Sequence, residues 1–164
     1  MGKILTIVRH GKSDWGNNIQ DIDRPLKERG VKDAYKMAER LQNRTLNPDL
    51  IITSTANRAV HTAIIFSRVL KIDDSKIILN SDFYMADYTS IIQFISRLYN
   101  SVNSVLIFGH NPTFTYLANM FLPDSISNLP TAGVVSLNFE TNSWHEFLKS
   151  KLVDYFIDSP KNKL

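Results

Sequence analysis

Short runs of β-branched residues alternate in this chain with longer segments whose apolar residues recur every three or four positions. The runs predict four strands, at residues 3–8, 50–53, 77–79 and 104–108. The longer segments predict amphipathic helices between and after them, one of which is a helix over 26–44 with Ala34, Met37, Ala38 and Leu41 on its buried face. This alternation is typical of an α/β fold with a mostly parallel sheet.

The last third of the chain departs from that alternation. Residues 133–140 and 143–148 predict two antiparallel strands joined by a turn at Thr141 and Asn142, which places a hairpin at the edge of the sheet. Residues 1–158 are expected to form one domain, and 159–164 are polar and unpatterned, which predicts a flexible tail.

The composition excludes several classes of function. With 0 cysteines, the chain has no disulfide, thiolate metal site or cysteine nucleophile, which fits a cytoplasmic location. The net charge is +3 and the sequence contains no long basic block, so we expect no nucleic-acid partner. An anionic substrate is compatible with this charge. No apolar stretch approaches the roughly 20 residues of a membrane span.

Polar residues follow three of the predicted strands where each strand ends. Arg9, His10 and Gly11 follow the first, Thr53 and Ser54 lead to Arg58, and Gly109 precedes His110 and Asn111. Ligands of open α/β sheets lie beyond the carboxyl ends of the strands. We therefore expect two histidines and two arginines to converge at this edge.

These residue types suit phosphate chemistry. A guanidinium presents a fork of donors that matches phosphoryl oxygens, and a histidine has an unprotonated nitrogen near neutral pH that can attack phosphorus. Gly11 is expected to leave room for the phosphate. Asn111 is expected to cap the helix that begins at Pro112.

Five blocks of sequence, in order, resemble the histidine phosphatase superfamily and in particular its SixA-type phosphohistidine phosphatases. The blocks are RHGKSDW, DIDRPLKERG, PDLIITSTANRAVHTA, LIFGHNPTF and LPTAGVVSLNF, followed by Trp144. The resemblance implies a phosphoglycerate mutase-like, three-layer α/β/α sandwich with an antiparallel edge hairpin. It also implies a hydrolase that acts in signal transduction.

The resemblance further implies a role for each matching residue. His10 is the expected nucleophile, and Arg9, Arg58 and His110 are expected to hold the phosphoryl oxygens. Gly11, Ser13 and Asn111 are the expected additional substrate contacts. The implied mechanism passes through phospho-His10 and uses neither a metal nor another cofactor.

A leaving-group acid is the least defined part of the expected site. Asp82 is the candidate, with Asp87 as a second, although each is more commonly a solvated surface carboxylate. SixA-type enzymes are similar in lacking a clear acid there. His61 stands where relatives commonly have glutamine, and its default interpretation is a helix-surface residue. Arg24 is interpreted as part of the loop architecture.

Three functions remain open at this point. The first is removal of phosphate from a histidine-phosphorylated signalling protein, favoured because the segment between Arg58 and His110 is too short for a large cap. The second is hydrolysis of small phosphate esters. The third is a catalytically silent phosphate-binding module, which has no need of a nucleophile.

Overall fold

The computed structural model describes residues 2–16 and 18–162. Its helices are α1 (Glu28–Asn43), α2 (Asn57–Leu70), α3 (Tyr88–Ser96) and α4 (Thr113–Asn119). Its strands are β1 (Lys3–Arg9), β2 (Leu50–Thr53), β3 (Ile77–Leu79), β4 (Ser104–Gly109), β5 (Val134–Phe139) and β6 (Leu152–Asp158). Short 3-10 helices cover Asp21–Asp23, Asp74–Lys76, Ser81–Phe83 and Trp144–Lys149.

Strand β1 lies inside a six-stranded sheet of order β3-β2-β4-β1-β5-β6. It runs parallel to β4 and antiparallel to β5, and β6 pairs antiparallel with β5 at the edge. The β1–β4 register places Arg9 beside Gly109, and the His10 amide donates to the Gly109 carbonyl at 3.1 Å. The next residue of each strand, His10 and His110, therefore emerges at the same edge.

Helices cover both faces of the sheet. Residues of α1 and α2, such as Met37 and Phe66, pack on one face against Val8 and Phe108. Residues of α3, α4 and the last 3-10 helix pack on the other face around Leu5 and Ile107. The expected three-layer α/β/α sandwich with a mostly parallel sheet is confirmed.

The second strand of the predicted hairpin is placed wrongly in the sequence interpretation. Residues 143–148 are not a strand, because most of them lie in the 3-10 helix Trp144–Lys149. Trp144 and Phe147 are both fully buried, and a spacing of three puts them on one side of a 3-10 helix. The partner of β5 is instead β6, which begins at Leu152, nine residues after the predicted start at Ser143.

The chain after β6 is held against α1. Arg40 donates to the Asp158 carboxylate and to the Ser159 carbonyl at 3.0 and 2.9 Å, and Lys36 donates to the Pro160 carbonyl at 2.8 Å. The flexible tail was predicted from residue 159, whereas the structure buries Ser159 and Pro160. Residues 163 and 164 lie outside the described residues. Within the described part of the chain, no helix is long and apolar enough to cross a membrane.

The loop after β1 crosses the first turn of α1 at two glycines. A Cβ on Gly11 would lie 2.7 Å from the Gly30 carbonyl oxygen, and one on Gly30 would lie 2.8 Å from the Lys12 amide nitrogen. These approaches are closer than real Cβ contacts allow. Gly11 is therefore required by the packing of α1, and its expected role in leaving room for phosphate stays a prediction.

We predict that Gly30→Ala destabilises the protein. Glycine to alanine inside a helix normally stabilises by about 0.5–1 kcal/mol, but here the new methyl group meets the Lys12 backbone, and overpacking costs about 1–3 kcal/mol. Denaturant unfolding measures the difference, with Glu39→Ala on the exposed side of α1 as the control. An increase in unfolding free energy for Gly30→Ala would contradict the close approach.

Candidate active site

A cavity of about 290 Å³ opens where β1 and β4 end. We call this cavity the basin. It is lined by the four residues expected to converge, Arg9, His10, Arg58 and His110. The other lining residues are Lys12, Ser13, Trp15, Asp21, Arg24, Asn111 and Thr131. The two imidazole rings lie 5.2 Å apart, centroid to centroid. The structure therefore brings the two predicted histidines and two predicted arginines together.

His10 is oriented by two hydrogen bonds. Its Nδ1 lies 2.7 Å from the Gly11 carbonyl oxygen, so Nδ1 carries the proton, because a carbonyl oxygen only accepts. Its Nε2 accepts from Arg58 Nε at 3.3 Å. The unprotonated ring nitrogen is thus Nε2, beside Arg58, which also lines the basin.

The surroundings of His10 keep this ring neutral. Burial, together with the charges of His110, Arg58 and Arg9, lowers the pKa of His10 from 6.5 to about 3, against the opposing effect of the hydrogen bond to Gly11. Desolvation disfavours the imidazolium, and neighbouring cations act in the same direction. At neutral pH Nε2 of His10 is therefore unprotonated, and its lone pair accepts the hydrogen bond from Arg58.

Arg58 lies in the first turn of α2 and is fixed by a second segment of chain. Its Nη1 donates to the Asp21 carbonyl oxygen at 2.6 Å, and its Nη2 donates to Asp21 Oδ2 at 3.0 Å. Thr62, one turn later, accepts from the Gly11 amide and donates to the Arg58 carbonyl. Helix α2 and the loop after β1 are thereby joined beside His10.

Arg9 adds a second guanidinium to the basin, and His110 adds a second imidazole. Arg9 Nη1 donates to the Leu129 carbonyl at 2.9 Å, which holds the guanidinium against the 3-residue segment before Ala132. His110 Nε2 lies 2.7 Å from Ser54 Oγ, at the end of β2. Burial, together with the charge of Arg58, lowers the pKa of His110 to about 4.

Asp21 is a site residue that the sequence interpretation missed. Its carboxylate accepts from Arg58, from Arg24 Nη1 at 2.9 Å and from the Tyr84 hydroxyl at 2.6 Å. The hydrogen bond from Tyr84, followed by those from Arg24 and Arg58, holds the pKa of Asp21 well below its usual range. The only sequence signal was its place two residues before Asp23 in the DIDRPL block.

The remaining predicted residues have mostly structural contacts. Ser13 lines the basin and accepts from Arg24 Nη2. Asn111 also lines it, but its amide donates to Asn128 and Leu129, and its oxygen accepts from Thr115 at the start of α4. Arg24 is buried and stacks on the exposed indole of Trp15 at 3.6 Å.

Asp82, the candidate acid, is exposed and lies outside the residues that line the basin. Asp87 caps α3 by accepting from the Ser90 amide at 3.0 Å. His61 is exposed on α2, as its default interpretation predicted. Among residues 2–16 and 18–162, no group of three or more His, Asp or Glu side chains is arranged to hold a metal ion.

The chain belongs to the histidine phosphatase superfamily. The family model of branch 1 of that superfamily matches residues 5–83. An uncharacterized protein of Mycobacterium tuberculosis is 30% identical over 139 residues, which are 82% of this chain and 82% of that protein. Membership and the geometry of the basin together support phosphatase activity.

Solved structures with this fold include two SixA proteins. One, from Agrobacterium tumefaciens and assigned as a phosphohistidine phosphatase, is 27% identical with a TM-score of 0.79, covering 94% of this chain and 97% of that one. The other is a protein histidine phosphatase SixA complexed with tungstate, 22% identical with a TM-score of 0.81, covering 97% and 98%. The second likeness describes the fold alone.

We predict that Asp21→Asn lowers kcat/KM about 10- to 100-fold, because hydrogen bonds to charged groups are worth about 1.5–3 kcal/mol and Arg58 loses its anionic partner. Phosphate release from phosphoramidate measures the effect. Asp23→Asn is the matched control, since Asp23 is exposed in the same 3-10 helix. The Asp21 side chain is 48% exposed, so its replacement should change the unfolding free energy by less than about 1 kcal/mol. Wild-type turnover in Asp21→Asn would contradict the positioning role.

Proposed function

We propose that this protein is a phosphohistidine phosphatase that works through a covalent phospho-His10 intermediate. The observation that carries the proposal is the buried, neutral imidazole of His10. Its Nε2 lies beside Arg58, which lines the basin, and its Nδ1 proton is held on the Gly11 carbonyl. A site that only bound phosphate would gain from a protonated histidine, whereas a nucleophile requires a neutral one.

In the first step, His10 Nε2 attacks the phosphorus atom and the bond from phosphorus to the leaving nitrogen breaks. The electron pair of that bond stays on the leaving nitrogen. Arg9 and Arg58 lie around the basin, where their guanidinium groups bind the phosphoryl oxygens and spread their negative charge. Phosphoryl transfer depends mainly on positioning and charge stabilisation, and these groups supply both.

The leaving group is the reason for preferring phosphohistidine over a phosphate ester. Among the described residues, Asp21 is the carboxylate that lines the basin, and its lowered pKa keeps it ionised, so it has no proton to donate. An alkoxide leaving group requires an acid. A phosphohistidine whose second ring nitrogen is protonated departs as neutral imidazole and requires none.

In the second step, water attacks phospho-His10, the bond from phosphorus to Nε2 breaks, and its electron pair returns to the imidazole. The products are inorganic phosphate and the neutral ring with which the cycle began. The likeness to the A. tumefaciens protein assigned as a phosphohistidine phosphatase supports this substrate. A histidine-phosphorylated signalling protein is the partner that we propose on these grounds.

Transfer of label to the enzyme tests this mechanism. A small histidine-phosphorylated protein carrying radiolabelled phosphate is mixed with the enzyme, quenched rapidly in alkali and resolved by size. We predict an acid-labile label on the wild-type chain, because phosphorus bonded to imidazole is stable in alkali and hydrolysed in acid. His61→Ala, a histidine change on the exposed side of α2, should retain the label.

The His10→Ala variant should carry no label and release no phosphate. Label on the His10→Ala variant would show that another residue is the nucleophile. If the wild type releases phosphate but no labelled enzyme is found at any quench time, the covalent mechanism is wrong and water attacks the substrate directly.

A further inference from the structure

A second and larger cavity adjoins the basin. Its volume is about 470 Å³, within the range of about 300–1,000 Å³ that is usual for ligand pockets. It shares Asp21, Arg58, His110 and Asn111 with the basin. Its other walls are chiefly aromatic and apolar, formed by Phe83, Tyr84, Met85, Pro112 and Phe114.

Hydrogen bonds hold the wall of this cavity in place. Tyr84 donates its hydroxyl to Asp21 at 2.6 Å, and Thr113 donates its hydroxyl to the Ala86 carbonyl at 2.7 Å. Asp87, the next residue, caps α3. Because the wall is fixed before a ligand binds, a group entering the cavity need not order it.

The second cavity lies next to the basin, where a leaving group could depart. His10 lines the basin, and the second cavity begins beyond Arg58 and His110, which form the boundary between the two. In an in-line displacement the leaving group departs from the side opposite the nucleophile. This step rests on the proposed function, since it takes the basin as the phosphoryl site and His10 as the nucleophile.

The chemistry of the wall favours a flat ring. The Tyr84 ring meets the His110 ring edge to face, with centroids 5.7 Å apart and planes at 72°. A planar aromatic group beside them gains edge-to-face contacts and apolar burial. A polyol in the same place would lose hydration from its hydroxyl groups without regaining hydrogen bonds from Phe83, Met85 or Pro112.

We propose that this second cavity is the leaving-group subsite, that it takes a planar aromatic or heteroaromatic group such as the imidazole of phosphohistidine, and that Tyr84 determines this specificity. Tyr84 makes two separable contributions. Its hydroxyl supports Asp21, which affects every substrate. Its ring forms the wall, which affects only substrates that carry a ring.

Two donors with the same phosphorus–nitrogen bond separate these contributions. Phosphoimidazole releases a ring, and phosphoramidate releases ammonia. We expect Tyr84→Ala to lower the ratio of kcat/KM for phosphoimidazole to that for phosphoramidate by about three- to tenfold, and Tyr84→Phe to leave the ratio unchanged. Tyr99→Ala, a change at a tyrosine that is 83% exposed, is the matched control. An unchanged ratio in Tyr84→Ala would overturn the proposal.

A binding measurement keeps this test independent of turnover. Phenylphosphonate and methylphosphonate present the same kind of anion with and without a ring. We expect phenylphosphonate to bind more tightly to the wild type and to Tyr84→Phe, and Tyr84→Ala to lose that preference. Equal binding of both phosphonates to the wild type would reject the subsite. If instead the wild type hydrolyses neither phosphorus–nitrogen donor, the proposed function fails and the phosphonates alone decide on the subsite.

Discussion

His10 lies at the end of a central strand with its imidazole ring buried, and removal from water is the largest influence on the pKa of that ring. Arg9, Arg58 and His110 act in the same direction, so the groups that would bind phosphate also keep the nucleophile neutral. The unfolded chain binds a proton at the ordinary histidine value of 6.5, whereas the folded one does so only at about 3. The stability associated with the neutral ring is therefore complete above about pH 6.5 and declines as the pH falls toward 3.

Asp21 offsets the repulsion between neighbouring arginines of the basin in the absence of substrate. Arg24 and Arg58 both line the basin and repel one another, and the Asp21 carboxylate, which pairs with each of them, holds both in place. The same carboxylate accepts from Tyr84, which forms the wall of the adjoining cavity. One anion at the rim thus links the position of Arg58 in the basin to the shape of the proposed subsite.

The sequence was most informative where regular structure positions the site. Arg9 and His110 were predictable because β1 and β4 are parallel neighbours and end at the same edge of the sheet. Asp21 and Tyr84 were not, since both lie in or beside short 3-10 helices and meet across 63 residues of chain. Hydrophobic periodicity carries no information about such contacts between irregular segments. Gly11 was noticed for its place in a motif, but its close approach to α1 is a tertiary contact.

The proposed nucleophilic role of His10 depends on a neutral ring, and an NMR titration of the ring nitrogens measures whether the ring is neutral. The resonances are assigned by their loss in His10→Ala, and the wild type is followed from about pH 8 to about pH 5, on both sides of the ordinary histidine pKa. We predict that His10 stays neutral over this whole range, with the proton on Nδ1 and a lone pair on Nε2. Protonation of His10 with a midpoint near its ordinary value of 6.5 would contradict it.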